Sequence, residues 1–135
     1  LVQVPLSLFD QRFVPLLDRA EKNGISVQAR SVFLQGLFFL DPGNLPPHFE
    51  PVGSKLSKLG VLSKDTGMGI HELCLGFAVN HPGISQAVIG VESLENLKDN
   101  IKTDFGRASS VLTADVVNSL AVDNEEILVP FKWKL

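Results

Sequence analysis

The residues with the most chemical content lie in one stretch, Gln86 to Ile101, QAVIGVESLENLKDNI. Patterning predicts a short buried strand over 87–89, a glycine turn at Gly90 and a helix starting at Ser93. Leu94, Leu97 and Ile101 are spaced to bury one face of that helix. A strand, a tight turn and a helix N-terminus bring free backbone N–H groups and the positive end of a helix dipole to one spot. Phosphate is the usual guest there. Most turns of this kind bind nothing, so the stretch needs support from elsewhere in the chain.

Three further groups of residues invite chemistry. Gln3 and Gln28 interrupt apolar strand-like runs, and a polar residue in a buried strand needs a partner. The bland reading has both simply satisfying neighbouring backbone. Arg30 follows in the same run as Gln28. Buried there, it would need a carboxylate or phosphate partner, or an aromatic ring to stack on. His48, His71 and His81 do not have the spacing of a helical metal pair, and each reads as structural. His48 sits in a long loop of the kind that shapes pockets. Cys74 has apolar neighbours and no base or cation close in sequence, so it reads as an inert buried thiol. Ser31, between Arg30 and Val32, reads as a hydrogen-bonding hydroxyl. No serine stands in a nucleophile-elbow pattern, and no carboxylate pair stands out as an acid–base dyad.

The elements that must hold these residues follow from periodicity. Leu1 to Leu8 reads as a strand, and 25–33 (ISVQARSVF) as a second, with the 87–89 segment as a third. A helix with Pro15 in its first turn separates the first two and stops at Asn23-Gly24. Asp41 to Pro51 holds four of the eight prolines and reads as a long loop. A helix around Leu56, Leu59 and Leu62 and another from His71 to His81 precede the third strand. After Asp104 a polar loop leads to a helix capped by Thr113, and the tail EEILVPFKWKL is apolar enough to dock. Strands alternating with helices imply an α/β fold with parallel pairing and right-handed crossovers. Three strands make either a small open sheet or part of a barrel, since a (β/α)₈ barrel takes about 250 residues.

Bulk properties narrow the function classes. The chain has 135 residues, 44% of them hydrophobic, and a net charge of −3. It can bury a core as one domain, and it has no basic surface with which to bind nucleic acid or an anionic membrane. No apolar run reaches the length of a membrane span, and no signal-peptide pattern opens the chain. One cysteine excludes an internal disulfide, and the expected setting is a reducing, cytoplasmic one. The chain contains no tyrosine.

Three stretches together resemble the aldo-keto reductases: VQVPLSLFD, ISVQARSVFLQGLF and ELCLGFAVNHPGISQAVIGVESLENLKDNI. They look like that family's sixth strand, its seventh strand with the following loop, and its closing strand with the cofactor helix. The resemblance runs from Leu1 to about Ile101, with a C-terminal helix and tail over 102–135. It implies an α/β fold made of the C-terminal portion of a TIM barrel, about three βα units, as a single partial domain. The family reduces carbonyls with a nicotinamide dinucleotide, so the implied cofactor is NAD(P). By the resemblance Gln3 holds the nicotinamide carboxamide and Arg30 lies under the nicotinamide ring. Ser31, Phe33, Gln35 and Gly36 match the loop along the pyrophosphate. Gly90, Glu92, Asn96, Asp99 and Asn100 match the positions around the adenosine half.

Two departures from the family pattern shape the expectation. Gly90, Glu92 and Asn96 offer no positive charge for an adenosine 2′-phosphate, and Glu92 would repel one. NAD is therefore plausible, with the choice between NAD and NADP open. The family's Asp, Tyr, Lys and His tetrad belongs to the first half of the barrel, and this chain has no tyrosine. No catalytic residue is assigned here, and the chain alone is expected to be inactive. The leading reading is the cofactor-binding C-terminal portion of an NAD(P)-dependent carbonyl/alcohol oxidoreductase. The alternative is a non-catalytic nucleotide-binding or interaction module, or an inert fragment of that barrel. Expected partners are the dinucleotide and either an N-terminal barrel half or further copies of the chain, because an open barrel segment leaves sheet edges exposed.

Overall fold

In the computed structural model, which describes residues 1–134, three parallel strands line up in the order β1-β2-β3. β1 is Val2–Pro5, β2 is Val27–Arg30 and β3 is only Gln86–Ala87. All three are shorter than the apolar runs that predict them. Leu6 to Asp10 leave the sheet but stay buried as a loop beneath it. Val88 N–H still donates to Ala29 O, yet the chain then leaves the sheet and bends at 92–93, whereas the sequence placed the turn at Gly90.

Alternation sorts the faces of the sheet. Val27 and Ala29 are fully buried on the helix-covered side. Gln3, Gln28 and Gln86 are partners in register and share the opposite, open face. There they bond to one another: Gln3 Nε2 donates to Gln28 Oε1 at 2.8 Å, and Gln28 Nε2 to Gln86 Oε1 at 2.6 Å. This corrects the expectation that neighbouring backbone satisfies Gln3 and Gln28.

α1 (Val14–Lys22) crosses from β1 to β2, with a proline in its first turn, and the chain reverses at Gly24, whose φ is +66°. The path from β2 to β3 is long. It runs through 3₁₀ segments at Leu34–Phe39 and Pro47–Val52, then α2 (Gly53–Thr66) and α3 (Ile70–Asn80). Leu56 and Leu59 of α2, with Leu73, Cys74 and Phe77 of α3, form the centre of the core. α4 (Leu94–Ile101) follows β3.

The C-terminal region differs from expectation. The segment after Asp104 is a helix, α5 (Phe105–Val111), with Asp104 as its cap, and α6 (Ala114–Leu120) follows under the Thr113 cap. FGRASSV has no apolar period to mark a helix, which is why the segment reads as a polar loop in sequence. A short α7 (Glu125–Leu128) and a 3₁₀ turn end the chain. The tail docks as expected: Trp133 packs edge-on against Phe49 at 4.7 Å, and its Nε1–H donates to Ile127 O. Leu135, the last residue of that tail, lies outside the described residues. Among the described residues no helix is long and apolar enough to cross a membrane.

Candidate functional site

Helices that run antiparallel to the strands begin where the strands end, so loops and helix N-termini meet at the carboxyl side of the sheet. There the loops after β2 and β3 and the start of α4 enclose a cleft of about 690 Å³. Small-molecule sites commonly measure about 300–1,000 Å³.

The first wall is a contorted loop. Ser31, Leu34 and Gln35 have φ of 59°, 45° and 53°, and Gly36 has 84°. Only glycine enters this left-handed region freely, and each of the others costs about 1–2 kcal/mol. Burial of Val32 and Leu34 pins the loop in place. The outcome is that Ser31, Phe33, Gln35 and Gly36 all face the cleft. Strain held by packing at a cleft is typical of functional loops.

The second wall is the stretch that carries most of the sequence signal. Gly90, Glu92, Asn96, Asp99 and Asn100 line it. Ser93 caps α4: its Oγ accepts from the Asn96 N–H at 3.1 Å and donates to Asn96 Oδ1 at 2.9 Å. The Asn96 carboxamide is thereby held with its oxygen engaged, and its Nδ2 has no partner among the described residues. Asn100 is the only described residue of α4 that is buried, at 8% exposure. Its carboxamide makes no hydrogen bond within the described residues, among which every fully enclosed side-chain polar atom has a partner. The Asn100 carboxamide is therefore not fully enclosed, and Asn100 is among the residues that line the cleft. A polar group so placed needs a guest, water or ligand, to avoid an uncompensated desolvation cost.

α4 itself is reversed from its expected orientation. Leu94, Leu97 and Ile101 are 66%, 39% and 72% exposed, where the spacing predicted a buried stripe. Asn100 and Thr103 face the body instead, both under 9% exposed. The helix turns its polar side to the cleft and its apolar side away.

Gln3 and Arg30 do not line the cleft. Arg30 is exposed on the open face of the sheet, two residues beyond Gln28, so no buried guanidinium has to be paired. Its Nη1 donates to Ser31 Oγ at 3.2 Å, which ties it to the cleft's rim. The glutamine row, Arg30 and the Ser31 loop thus follow one another along the sheet toward the cleft.

Patterning assigns His71 no role, yet its ring is on the cleft wall and is the one basic side chain among the described lining residues. A β-carbon on Gly69 would come within 2.7 Å of that ring, so glycine makes room for it. The available signal was topological: His71 opens a helix whose N-terminus must lie at the strand carboxyl ends. His48 is elsewhere, with Nε2 donating to Glu126 O at 2.8 Å, and it pins the tail rather than shaping a pocket. His81 closes α3 against Phe77 and borders a separate groove of about 400 Å³ between α3 and the C-terminal helices. Cys74 is fully enclosed, and burial pushes its thiol pKa far up, as expected of an unreactive cysteine. No cluster of metal-binding side chains occurs among the described residues.

The cleft's charges are Glu92 and Asp99 on the α4 side, with neutral groups on the Ser31 loop. Carboxylates of this kind accept from sugar hydroxyls and disfavour a nearby phosphate dianion.

No protein-family model matches the chain, and no curated protein matches it. Among solved structures it is similar to the aldo-keto reductase AKR11C1 from Bacillus halodurans, in its apo form. The two share 21% sequence identity and a TM-score of 0.62, over 90% of this chain and 43% of that one. The chain therefore spans less than half the length of the barrel it matches. A likeness at this identity establishes the fold alone: parallel strands with flanking helices, arranged like part of a TIM barrel.

Proposed function

We propose that the cleft binds the adenosine half of a nicotinamide dinucleotide, NAD in preference to NADP. In this reading the chain is the cofactor-side portion of an NAD(P)-dependent carbonyl/alcohol oxidoreductase. The observation that carries it is Asn100, more than nine-tenths buried and lining the cleft, with a carboxamide that has no hydrogen-bond partner among the described residues. Asn96 Nδ2 likewise has no partner among the described residues. Two carboxamides offer the paired donors and acceptors that an adenine edge requires. Glu92 and Asp99 suit ribose hydroxyls and oppose a 2′-phosphate. The Ser31–Gly36 loop and the N-terminus of α4 supply backbone N–H groups for the pyrophosphate.

When bound, the dinucleotide would supply hydride chemistry. This chain's residues bind and orient it: Gln3 on the nicotinamide carboxamide, Arg30 beneath the ring, and the cleft on the adenosine. Protonating a carbonyl oxygen needs a general acid, for which this tyrosine-free chain has no assigned residue. The purified chain should oxidise neither NADH nor NADPH with aldehyde substrates.

Calorimetric titration tests the reading. NAD and ADP-ribose should bind saturably and NADP about tenfold more weakly, with Asn100→Leu abolishing binding of all three. Glu92→Lys should narrow or reverse the preference for NAD. Absence of binding by any of them at millimolar concentration would overturn the proposal and leave a scaffold or an inert barrel fragment. Trp133 is no use as a reporter, because it packs on Phe49 and lines no part of the cleft.

A further inference from the structure

Asn23 and Gly24 join α1 to β2, and nowhere else in the chain does glycine follow asparagine. Both residues are exposed. An asparagine side chain can react with its own backbone: the nitrogen of the next residue attacks the carboxamide carbon and closes a five-membered ring. A side chain on that next residue hinders the approach, and glycine has none. Gly24 is open as well as small, since a β-carbon placed on it would meet no atom within 4 Å. The other asparagines are less favourably placed. Asn96, Asn100 and Asn118 lie within helices, and Asn44, Asn80 and Asn124 are followed by leucine, histidine and glutamate. The turn restrains the reaction at Asn23 through two hydrogen bonds. Asn23 Nδ2 donates to Arg19 O at 2.6 Å, and the Gly24 N–H donates to Glu21 O at 2.9 Å. Both bonds lie at the exposed end of α1, and helix ends of this kind open locally at low cost.

We infer that Asn23 is a site of spontaneous covalent modification, converting to aspartate and isoaspartate at a rate set by the opening of this turn. Gly24 N gives its proton to solvent hydroxide and attacks Asn23 Cγ. The Cγ–Nδ2 bond breaks, and Nδ2 takes a proton from water and leaves as ammonia. Water then opens the resulting succinimide. Opening between Cγ and the Gly24 nitrogen gives aspartate. Opening between the main-chain carbonyl carbon and that nitrogen gives isoaspartate, whose main chain runs through Cβ and Cγ. The net change is water in and ammonia out, with no oxidant or reductant. Either product puts an anion where a donor stood, at the carbonyl end of α1, where the helix dipole disfavours negative charge. The contact with Arg19 O is lost. Isoaspartate also lengthens the link into β2, whose first residue, Val27, pairs with Val2. The chemistry belongs to the α1–β2 turn and does not depend on dinucleotide binding.

The test is mass mapping of the full chain, aged at body temperature and mildly alkaline pH, both folded and in denaturing urea. Trypsin cuts after Lys22 and Arg30, so the peptide NGISVQAR reports on Asn23 directly. Isoaspartate is scored with an isoaspartyl methyltransferase. In the folded chain Asn23 should convert before any other asparagine, give both products, and convert faster as the pH rises. Releasing the two hydrogen bonds in urea should speed it by about tenfold to a hundredfold. Gly24→Ala should suppress the conversion in the urea-unfolded chain as well as in the folded one, so the result does not depend on how well that variant folds. The proposal is overturned if another asparagine converts first in the folded chain, or if Asn23 there does not convert at all. It is equally overturned if urea, or Gly24→Ala in urea, leaves the rate at Asn23 unchanged.

Discussion

Gln3 and Gln28 are joined side chain to side chain across β1 and β2, with Gln3 Nε2 donating to Gln28 Oε1 at 2.8 Å. Gln28 repeats the pattern toward Gln86, so the row has a polarity: among the described residues the Gln3 oxygen and the Gln86 nitrogen have no partner. A carboxamide ligand meeting Gln3 would then find an acceptor for its own N–H group. Gln28→Leu deletes both bonds and frees Gln3 to rotate. Each bond is worth about 0.5–1.5 kcal/mol at most in an exposed row, so unfolding in urea should show a loss of roughly 1–2 kcal/mol. In calorimetry NAD affinity should fall several-fold while ADP-ribose, which lacks the nicotinamide, binds unchanged. An equal loss for both ligands would show that Gln28 serves only the sheet.

α3 and α5 cross so closely at Gly76 that a side chain there has no room. A β-carbon on Gly76 would come within 2.3 Å of the Ala108 β-carbon. Gly76→Ala must therefore push the helices apart, at a cost of about 1–3 kcal/mol, despite alanine's better helix propensity. Adding Ala108→Gly should recover much of the loss. The urea midpoints of the single and double variants decide it. A Gly76→Ala variant as stable as its parent would mean that the crossing is looser than described.

These particulars define how far the sequence could be read. ISVQARSVF holds a strand as its alternation predicts, with Val27 and Ala29 inside, whereas Gln28, read as a polar residue within a buried strand, stands on the open face. Strand ends were less legible: Leu6 to Phe9 are as apolar as a strand but are buried as a loop, and burial alone does not extend pairing. α4 is the instructive failure. Its periodicity identifies Leu94, Leu97 and Ile101 as one face, but not on which side of that face the protein lies. Asn100 and Thr103 take the inner side, and of the two Asn100 also lines the cleft. Nine of the eleven site residues named by resemblance meet in one cleft, while Gln3 and Arg30 stand outside it on the open sheet face.

The buried carboxylate of Asp10 depends on one partner. Asp10 is 1% exposed, and Arg12 reaches it through Nε and Nη2, each at 2.9 Å. The hydrogen bond to Asp10 is the main reason the Arg12 pKa is raised. Arg12→Ala leaves that carboxylate unpaired, which should cost about 3–5 kcal/mol. Arg12→Lys keeps the charge but not the two-pronged geometry, and should fall between the two. The bridge from Arg12 to Glu125 at 3.3 Å is exposed and screened by solvent, so Glu125→Gln should disturb stability less than either Arg12 substitution. Urea titrations of the three variants test the ranking, and a benign Arg12→Ala would refute it.

His81 sets the pH dependence near neutrality. It closes α3 with its ring edge-on to Phe77, 6.4 Å between centroids. Burial lowers its pKa below the ordinary 6.5, and Asp18 on α1 only partly opposes this. In the unfolded chain the imidazole titrates near 6.5, so there the proton binds first as the pH falls. Above that value both states are neutral and the stability is at its full level. Between about pH 7 and the lower folded-state pKa, the unfolded state is favoured by each proton it takes, and stability declines. Glu125, whose pKa is lowered by Lys132 and Arg12, has its effect near and below its ordinary 4.5, in a separate window. The free energy of unfolding should therefore decrease from about pH 7.5 to pH 5.5. His81→Asn should flatten that decrease while leaving the acid limb below about pH 4.5 in place. A parent profile that is already flat, or a slope that survives in His81→Asn, would assign the titration to some other group.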